Sequence, residues 1–182
     1  MEVIKPPDPP EPNVQTPAEP ELDPAKLEFH LRRLRDEQSL LRGFLGGAVA
    51  ALVGAAIWAG VTFGTGYQIG WMAVGVGFLV GFAIRLTGKG IDPKFGVMGA
   101  VLSLAGCLIG NYLTVCAVLA KELHTPFFDL LTSVDFNFVL LVMKETFSPI
   151  DLVFYALAVF EGYRFSIRGL TDEEKAKLGK GV

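Results

Sequence analysis

The side chains that could carry chemistry in this 182-residue chain are few, and they lie in or beside long apolar segments. Asn111 and Thr114 are three residues apart, which places them close together on one face of a helix. Gln68 and Asp151 come from other apolar segments, at the ends that would meet Asn111 in an antiparallel bundle. Polar groups in membrane segments often mark function, so these four residues form a candidate polar cluster. The alternative is that they only form hydrogen bonds between helices.

A second candidate site centres on Glu161, about twelve residues into the last apolar segment. Arg164 follows one helical turn later, and Arg85 ends a neighbouring apolar segment. A charge inside a membrane is costly unless it is paired. We therefore predict an intramembrane ion pair of Glu161 with Arg164 or Arg85. The alternative is a carboxylate that handles protons or cations.

Other reactive residue types do not form a recognisable site. His30 and His124 are solitary, and Cys107 and Cys116 fall on opposite faces of one helix. No nucleophile-and-base pair, phosphate-binding loop or metal-ligand spacing is present. No basic face interleaved with aromatic residues suggests nucleic-acid binding. The sequence predicts a non-catalytic protein without catalytic residues, metal or cofactor, and without a nucleic-acid partner.

The elements that must position these side chains are long helices. Residues 43–84 and 95–120 are runs of 42 and 26 residues without Asp, Glu, Lys or Arg. About 20 apolar residues cross the roughly 30 Å of a hydrocarbon core, so the first run is long enough for two crossings and the second for one. We predict an all-α integral membrane bundle of four transmembrane helices. Their expected bounds are 44–63, 70–86, 93–120 and 149–167. Asp92 is expected to cap the third helix and Ser148 the fourth, each followed by a proline at the first helical position.

The remaining segments flank this predicted domain, 43–168. Residues 1–23 are rich in proline and acid, which predicts a disordered cytoplasmic tail. Residues 24–42 predict an amphipathic juxtamembrane helix with Leu27, Leu31, Leu34 and Leu41 on one stripe. Residues 125–145 are apolar but interrupted by acids, which predicts an interfacial helical segment, with a re-entrant one as the alternative. Residues 169–182 predict a cytoplasmic tail helix.

Small residues recur every four positions along the first three apolar segments. In lipid, helices associate through close backbone packing and hydrogen bonds, and small residues permit that approach. We therefore predict packing within the bundle through these glycines, with homodimerisation through one such face as the alternative. The candidate packing residues are Gly54, Gly70, Gly77, Gly81, Gly106 and Gly110.

The distribution of basic residues predicts an orientation. With four spans, one side of the membrane carries fourteen Lys and Arg residues and the other only Lys121 and Lys144. Because basic residues concentrate in cytoplasmic segments, both termini are expected in the cytoplasm.

The segments "GYQIGWMAVGVGFLVGFAIR", "FGVMGAVLSLAGCLIGNYLT" and "DLVFYALAVFEGYR" resemble small bacterial four-span membrane proteins without established function. The resemblance covers roughly residues 44–168. It implies a multi-pass protein of the bacterial cytoplasmic (inner) membrane and brings no active residues with it.

These features together predict a membrane scaffold or accessory subunit. Its surroundings would be the lipid bilayer, and its partner another membrane protein or further copies of itself. The alternative is a small oligomeric ion or solute transporter or channel, with Asn111, Asp151 and Glu161 along a polar path.

Overall fold

The described part of the computed structural model is helical and comprises residues 22–66, 70–133, 135–146 and 148–179. Its helices are α1 (Pro24–Glu37), α2 (Leu40–Thr65), α3 (Trp71–Gly88), α4 (Pro93–Glu122), α5 (Phe127–Ser133), α6 (Phe136–Thr146), α7 (Pro149–Ser166) and α8 (Asp172–Leu178). The predicted all-α class is confirmed. The predicted disordered tail lies outside the described residues, apart from its last two positions.

The chain divides into two compact units. In the smaller one, the described residues are 22–28 and 170–179. There the backbone N–H of Asp23 donates to the carbonyl of Leu178 at 2.9 Å. Thr171 and Glu174 form a capping box at the start of α8. The larger unit, residues 29–169, contains the long helices.

Four long helices form the bundle of the larger unit. α2 packs against α3 and α4, α7 packs against the same two helices, and α3 also contacts α4. Trp58, Val80, Ile84 and Phe95 are among the fully buried side chains between them. Large apolar side chains elsewhere on these helices point outward, as expected for a bundle whose solvent is lipid.

Three of these helices, α2, α3 and α4, are long and apolar enough to cross a membrane. This finding supports a membrane protein. α7 is not among them, and it carries Asp151, Glu161 and Arg164 within its 18 residues. The fourth span therefore stays a prediction.

The predicted juxtamembrane helix 24–42 is wrong at its C-terminal end. α1 stops at Glu37, and Ser39 adopts an extended conformation that starts α2, its hydroxyl accepting the N–H of Arg42 at 3.4 Å. Leu34 is buried, but Leu41 belongs to α2 and is exposed. The break between α1 and α2 has a local cause, because a serine at the cap position favours the start of a new helix over the continuation of α1.

The segment 125–145, predicted to form one or two short helices, contains two, α5 and α6. Both contact α4. Asp135, between them, accepts the backbone N–H of Asn137 at 3.1 Å. Short polar side chains of this kind compete with helical hydrogen bonds, which explains the break.

Asp92 stabilises the turn between α3 and α4 through hydrogen bonds and ion pairs. We expected Asp92 to cap α4, and it occupies the cap position, but its side chain makes no capping hydrogen bond. Instead its carboxylate accepts from Gln38 at 2.7 Å and pairs with Lys94 at 3.0 Å and Arg35 at 3.5 Å. The N–H of Ser39 also donates to the carbonyl of Gly88 at 2.9 Å. The residues between α1 and α2 are thereby joined to this turn.

Replacing Asp92 with asparagine should lower the free energy of unfolding by about 1–2 kcal/mol near neutral pH, because charge-assisted hydrogen bonds are lost. The hydrogen bonds from Lys94 and Gln38 hold the pKa of the Asp92 carboxyl below its ordinary value of 3.8. A lowered folded-state pKa gives stability that is complete above the unfolded pKa and lost as the pH falls through the folded pKa. The difference in the free energy of unfolding between wild type and Asp92→Asn should therefore shrink and disappear as the pH falls below about 4.

The measurement is unfolding in mixed detergent as a function of pH. Asp36→Asn is the matched control, because Asp36 is exposed on α1 and its replacement removes the same charge. If the difference in unfolding free energy between wild type and Asp92→Asn does not depend on pH, the Asp92 charge has no role in stability.

Candidate functional site

A cavity of about 490 Å³ lies where one end of α2 meets α4, α6 and α7. We call it the polar cavity. About half of its lining residues are aliphatic, and its polar side chains come from all four helices. They are Thr62, Asn111, Thr114, Lys144, Asp151 and Tyr155. The volume falls within the roughly 300–1,000 Å³ typical of small-molecule sites.

Helix ends position two parts of this cavity. α2 terminates where Gly66, with φ of 72°, donates its N–H to the carbonyl of Thr62 at 2.8 Å. A side chain would strain this left-handed conformation. α7 begins beside the cavity, and Asp151 near its start accepts the backbone N–H of Ser148 at 2.8 Å. Tyr155 follows one turn later, so both side chains lie on one face of α7.

The polar side chains of the cavity differ in their hydrogen-bond partners. Asn111 donates from Nδ2 to the Tyr155 hydroxyl, which joins α4 to α7. Thr114 donates to the carbonyl of Gly110 at 2.8 Å, within α4. Thr62 is only 6 % exposed, and its hydroxyl has no hydrogen-bond partner within the described part of the chain. A buried hydroxyl without a partner costs about 1–3 kcal/mol, so this group has hydrogen-bonding capacity that the described protein atoms do not use.

The structure brings three members of the predicted polar cluster, Asn111, Thr114 and Asp151, to this one cavity. The fourth, Gln68, lies outside the described residues. Sequence reasoning missed Thr62, Lys144 and Tyr155. The spacing of Tyr155 one turn after Asp151 could have indicated it, but Thr62 and Lys144 reach the cavity only through the packing of their helices.

The predicted ion pair of Glu161 is not made. Among the described residues, no salt bridge joins Glu161 to Arg164 or to Arg85. Arg164 is exposed, and its guanidinium lies 5.8 Å from the centre of the Phe165 ring. The outward direction of Arg164 removes it from Glu161, which is half-buried beside α3. There the Glu161 carbonyl faces Gly81.

The six predicted packing glycines all lie against neighbouring helices. A methyl group on Gly77 would meet the backbone of Ala158, and one on Gly81 would meet Phe165 Cβ at 2.8 Å. The remaining four face side chains: Gly54 and Gly106 face Val76, Gly70 faces Phe154, and Gly110 faces Trp58. These glycines therefore serve packing inside one chain.

A second cavity, of about 510 Å³, opens on the side of the bundle between α2 and α4. We call it the side groove. Its walls are mainly small or apolar, including Ala56, Gly60, Phe63, Ala117 and Ala120. Lys121 lies at this groove with its ammonium 5.6 Å from the centre of the Phe63 ring.

Neither cavity has the ligand set of a metal centre. No group of three or more His, Cys, Asp or Glu side chains suited to a metal occurs among the residues whose positions are described. The polar cavity offers hydroxyls, an amide, a carboxylate and an ammonium. These groups can bind a ligand through hydrogen bonds and charge.

No protein-family model, curated protein or solved structure matches this chain. The roles of its residues therefore follow from their own geometry and chemistry.

Proposed function

We propose that this protein is a non-catalytic scaffold or accessory subunit of the bacterial inner membrane, with four spans and both termini in the cytoplasm. It packs against a partner membrane protein through the side groove. The observation that carries the proposal is the position of Gly60. The six predicted packing glycines contact neighbouring helices of this chain, whereas Gly60 lines the side groove and has no atom within 4 Å of the position its Cβ would take.

The fourth span of this proposal is α7. Its 18 residues, the same number as in α3, reach about 27 Å. Leu152, Val153 and Phe160 are more than half exposed, as expected of side chains that face lipid. Arg164 lies near the C-terminal end of the helix, where its long side chain can extend to the interface.

The proposed occupant of the side groove is a transmembrane helix. Ala56 and Gly60 on one wall are four residues apart, and Ala117 and Ala120 form the other wall. Such small residues let a second backbone approach closely. Lys121 at the groove favours a partner helix with an acidic residue at the corresponding depth, since an opposite charge offsets the cost of placing an ammonium near lipid.

Gly60→Leu should block the side groove while leaving the fold intact, because a Cβ at this position has no atom within 4 Å in the free protein. We expect recovery of the partner from native membranes in mild detergent to fall about tenfold or more, as expected for a lost helix contact of at least about 1.4 kcal/mol. Quantitative mass spectrometry of co-purified proteins measures this. Gly75→Leu is the matched control, since Gly75 also faces open space but does not line the groove.

A photo-crosslinking amino acid at position 117 tests the occupant directly. The proposal expects a crosslink to a transmembrane segment of another protein, lost in Gly60→Leu and kept in Gly75→Leu. Crosslinking only to a second copy of this chain would contradict an accessory role and indicate a homo-oligomer. Crosslinking only to lipid would contradict a partner helix in the side groove.

A small oligomeric transporter or channel is the second candidate, and the polar cavity favours it. Ion or solute flux into liposomes that is lost in Asp151→Asn would replace the scaffold with this function. Dependence of that flux on Glu161→Gln would extend the path to the cytoplasmic half of α7.

A further inference from the structure

We propose that the polar cavity binds a small zwitterion, a molecule with a primary ammonium and a carboxylate or phosphate a few atoms apart. The ammonium would bind at Asp151 and the anionic group at Lys144. This inference does not depend on the scaffold proposal, because it concerns a different surface of the bundle.

The first argument is the unmet hydrogen-bonding capacity of the cavity. Thr62 lines it and is buried with its hydroxyl unpartnered in the described part of the chain. Threonines in membrane helices commonly donate to the carbonyl one turn earlier, as Thr114 does here. Thr62 does not make that bond in the described part of the chain, so its hydroxyl keeps an unused donor in the wall of the cavity.

The second argument is the charge of the cavity. Asp151 and Lys144 both line it, yet no salt bridge joins them in the part of the chain that is described. One carboxylate oxygen of Asp151 accepts from Ser148, and the other still has acceptor capacity. The cavity therefore holds one acid and one base that are not in direct contact with each other.

These two charges select among ligands. A simple cation is attracted to Asp151 and repelled by Lys144, and a simple anion meets the reverse arrangement. A zwitterion supplies the opposite charge to both groups while carrying no net charge into an apolar surrounding, which limits the desolvation cost. The aliphatic part of the lining, including Leu108, Val115 and Val118, suits an apolar portion of the same molecule.

Two sources share this chemistry. One is a free amino acid with an aliphatic side chain, and the other is the headgroup of phosphatidylethanolamine with its acyl chains. The full chain in phosphatidylcholine nanodiscs tests the first source by saturation binding of tritiated L-leucine. The second is tested in nanodiscs of equal parts phosphatidylethanolamine and phosphatidylcholine, by native mass spectrometry of the lipid that stays bound.

We expect saturable binding in at least one arm. Asp151→Asn and Lys144→Gln should each weaken it about tenfold or more, and Thr62→Val about threefold to fivefold. Glu145→Gln is the matched control, since Glu145 neighbours Lys144 in sequence but does not line the cavity. L-leucine methyl ester, which lacks the carboxylate, should bind more weakly than leucine and should not lose affinity in Lys144→Gln.

Three results would overturn the proposal: no leucine binding together with no enrichment of phosphatidylethanolamine, binding unchanged in both charge variants, or methyl-ester binding as tight as that of leucine. Asp151→Asn keeps an oxygen that can accept from Ser148, and Lys144 and Thr62 cap no helix. Lys144→Gln and Thr62→Val therefore test the site even if Asp151→Asn does not fold.

Discussion

Gly77→Val should lower the free energy of unfolding by about 3 kcal/mol, enough to remove most of the folded bundle if its stability is marginal. A Cβ at Gly77 would lie 2.8 Å from Cα and 2.9 Å from the carbonyl carbon of Ala158, with the carbonyl oxygen nearer still. These are backbone atoms, so no change of rotamer relieves the collision. α3 and α7 would have to separate along their contact.

Titration with sodium dodecyl sulfate in mixed micelles, followed by circular dichroism, measures this change. Gly75→Val is the matched control on the same helix, two residues away, where an added Cβ meets nothing within 4 Å. Its effect should stay within about 0.5 kcal/mol. Equal losses in both variants would show that valine weakens the helix itself and not its packing against α7.

Gly162→Val should have an effect of similar size, about 3 kcal/mol, at the contact between α4 and α7. A Cβ on Gly162 would lie 2.7 Å from the carbonyl oxygen of Gly99 and would also overlap the Ser103 hydroxyl. A Cβ on Gly99 would meet the Gly162 carbonyl in return, and the Ser166 hydroxyl as well. The two glycines therefore maintain one shared approach of the two backbones.

This reciprocity makes the double variant informative. Once either valine has separated α4 from α7, the second adds little, so Gly99→Val with Gly162→Val should cost much less than the sum of the single variants. Because α7 carries Asp151 and Tyr155 to the cavity, ligand binding there should fall together with stability. Additive losses would contradict a single shared contact. Gly64→Val, at an exposed glycine with open space, is the control.

Much of the helical framework could be predicted from the chain alone. The uncharged runs 43–84 and 95–120 indicated helices of membrane length, and the Asp92–Pro93 and Ser148–Pro149 pairs marked the starts of α4 and α7. These predictions rest on interactions within about one helical turn, and such interactions depend little on the rest of the fold.

The failures at Asp92 and Glu161 have a common cause. Asp92 was predicted to cap the start of α4, and Glu161 was predicted to pair with Arg164 one turn away or with Arg85 on the neighbouring α3. The structure instead gives Asp92 the distant Gln38, and it turns Arg164 outward beside Phe165. The direction of a long side chain depends on the free space around it, and sequence spacing does not contain that information.

By itself, the sequence determined that this is an all-helical protein whose apolar segments suit a membrane, because hydropathy and helix-start signals are local properties of the chain. Only the tertiary structure decided which glycines face a neighbour and which, like Gly60, face open space. It also decided that Thr62, Lys144 and Asp151 line one cavity. These residues are far apart in sequence and lie on α2, α6 and α7, so they share a surface only when the three helices have packed together. Which helices become neighbours depends on the summed contacts of whole helix faces.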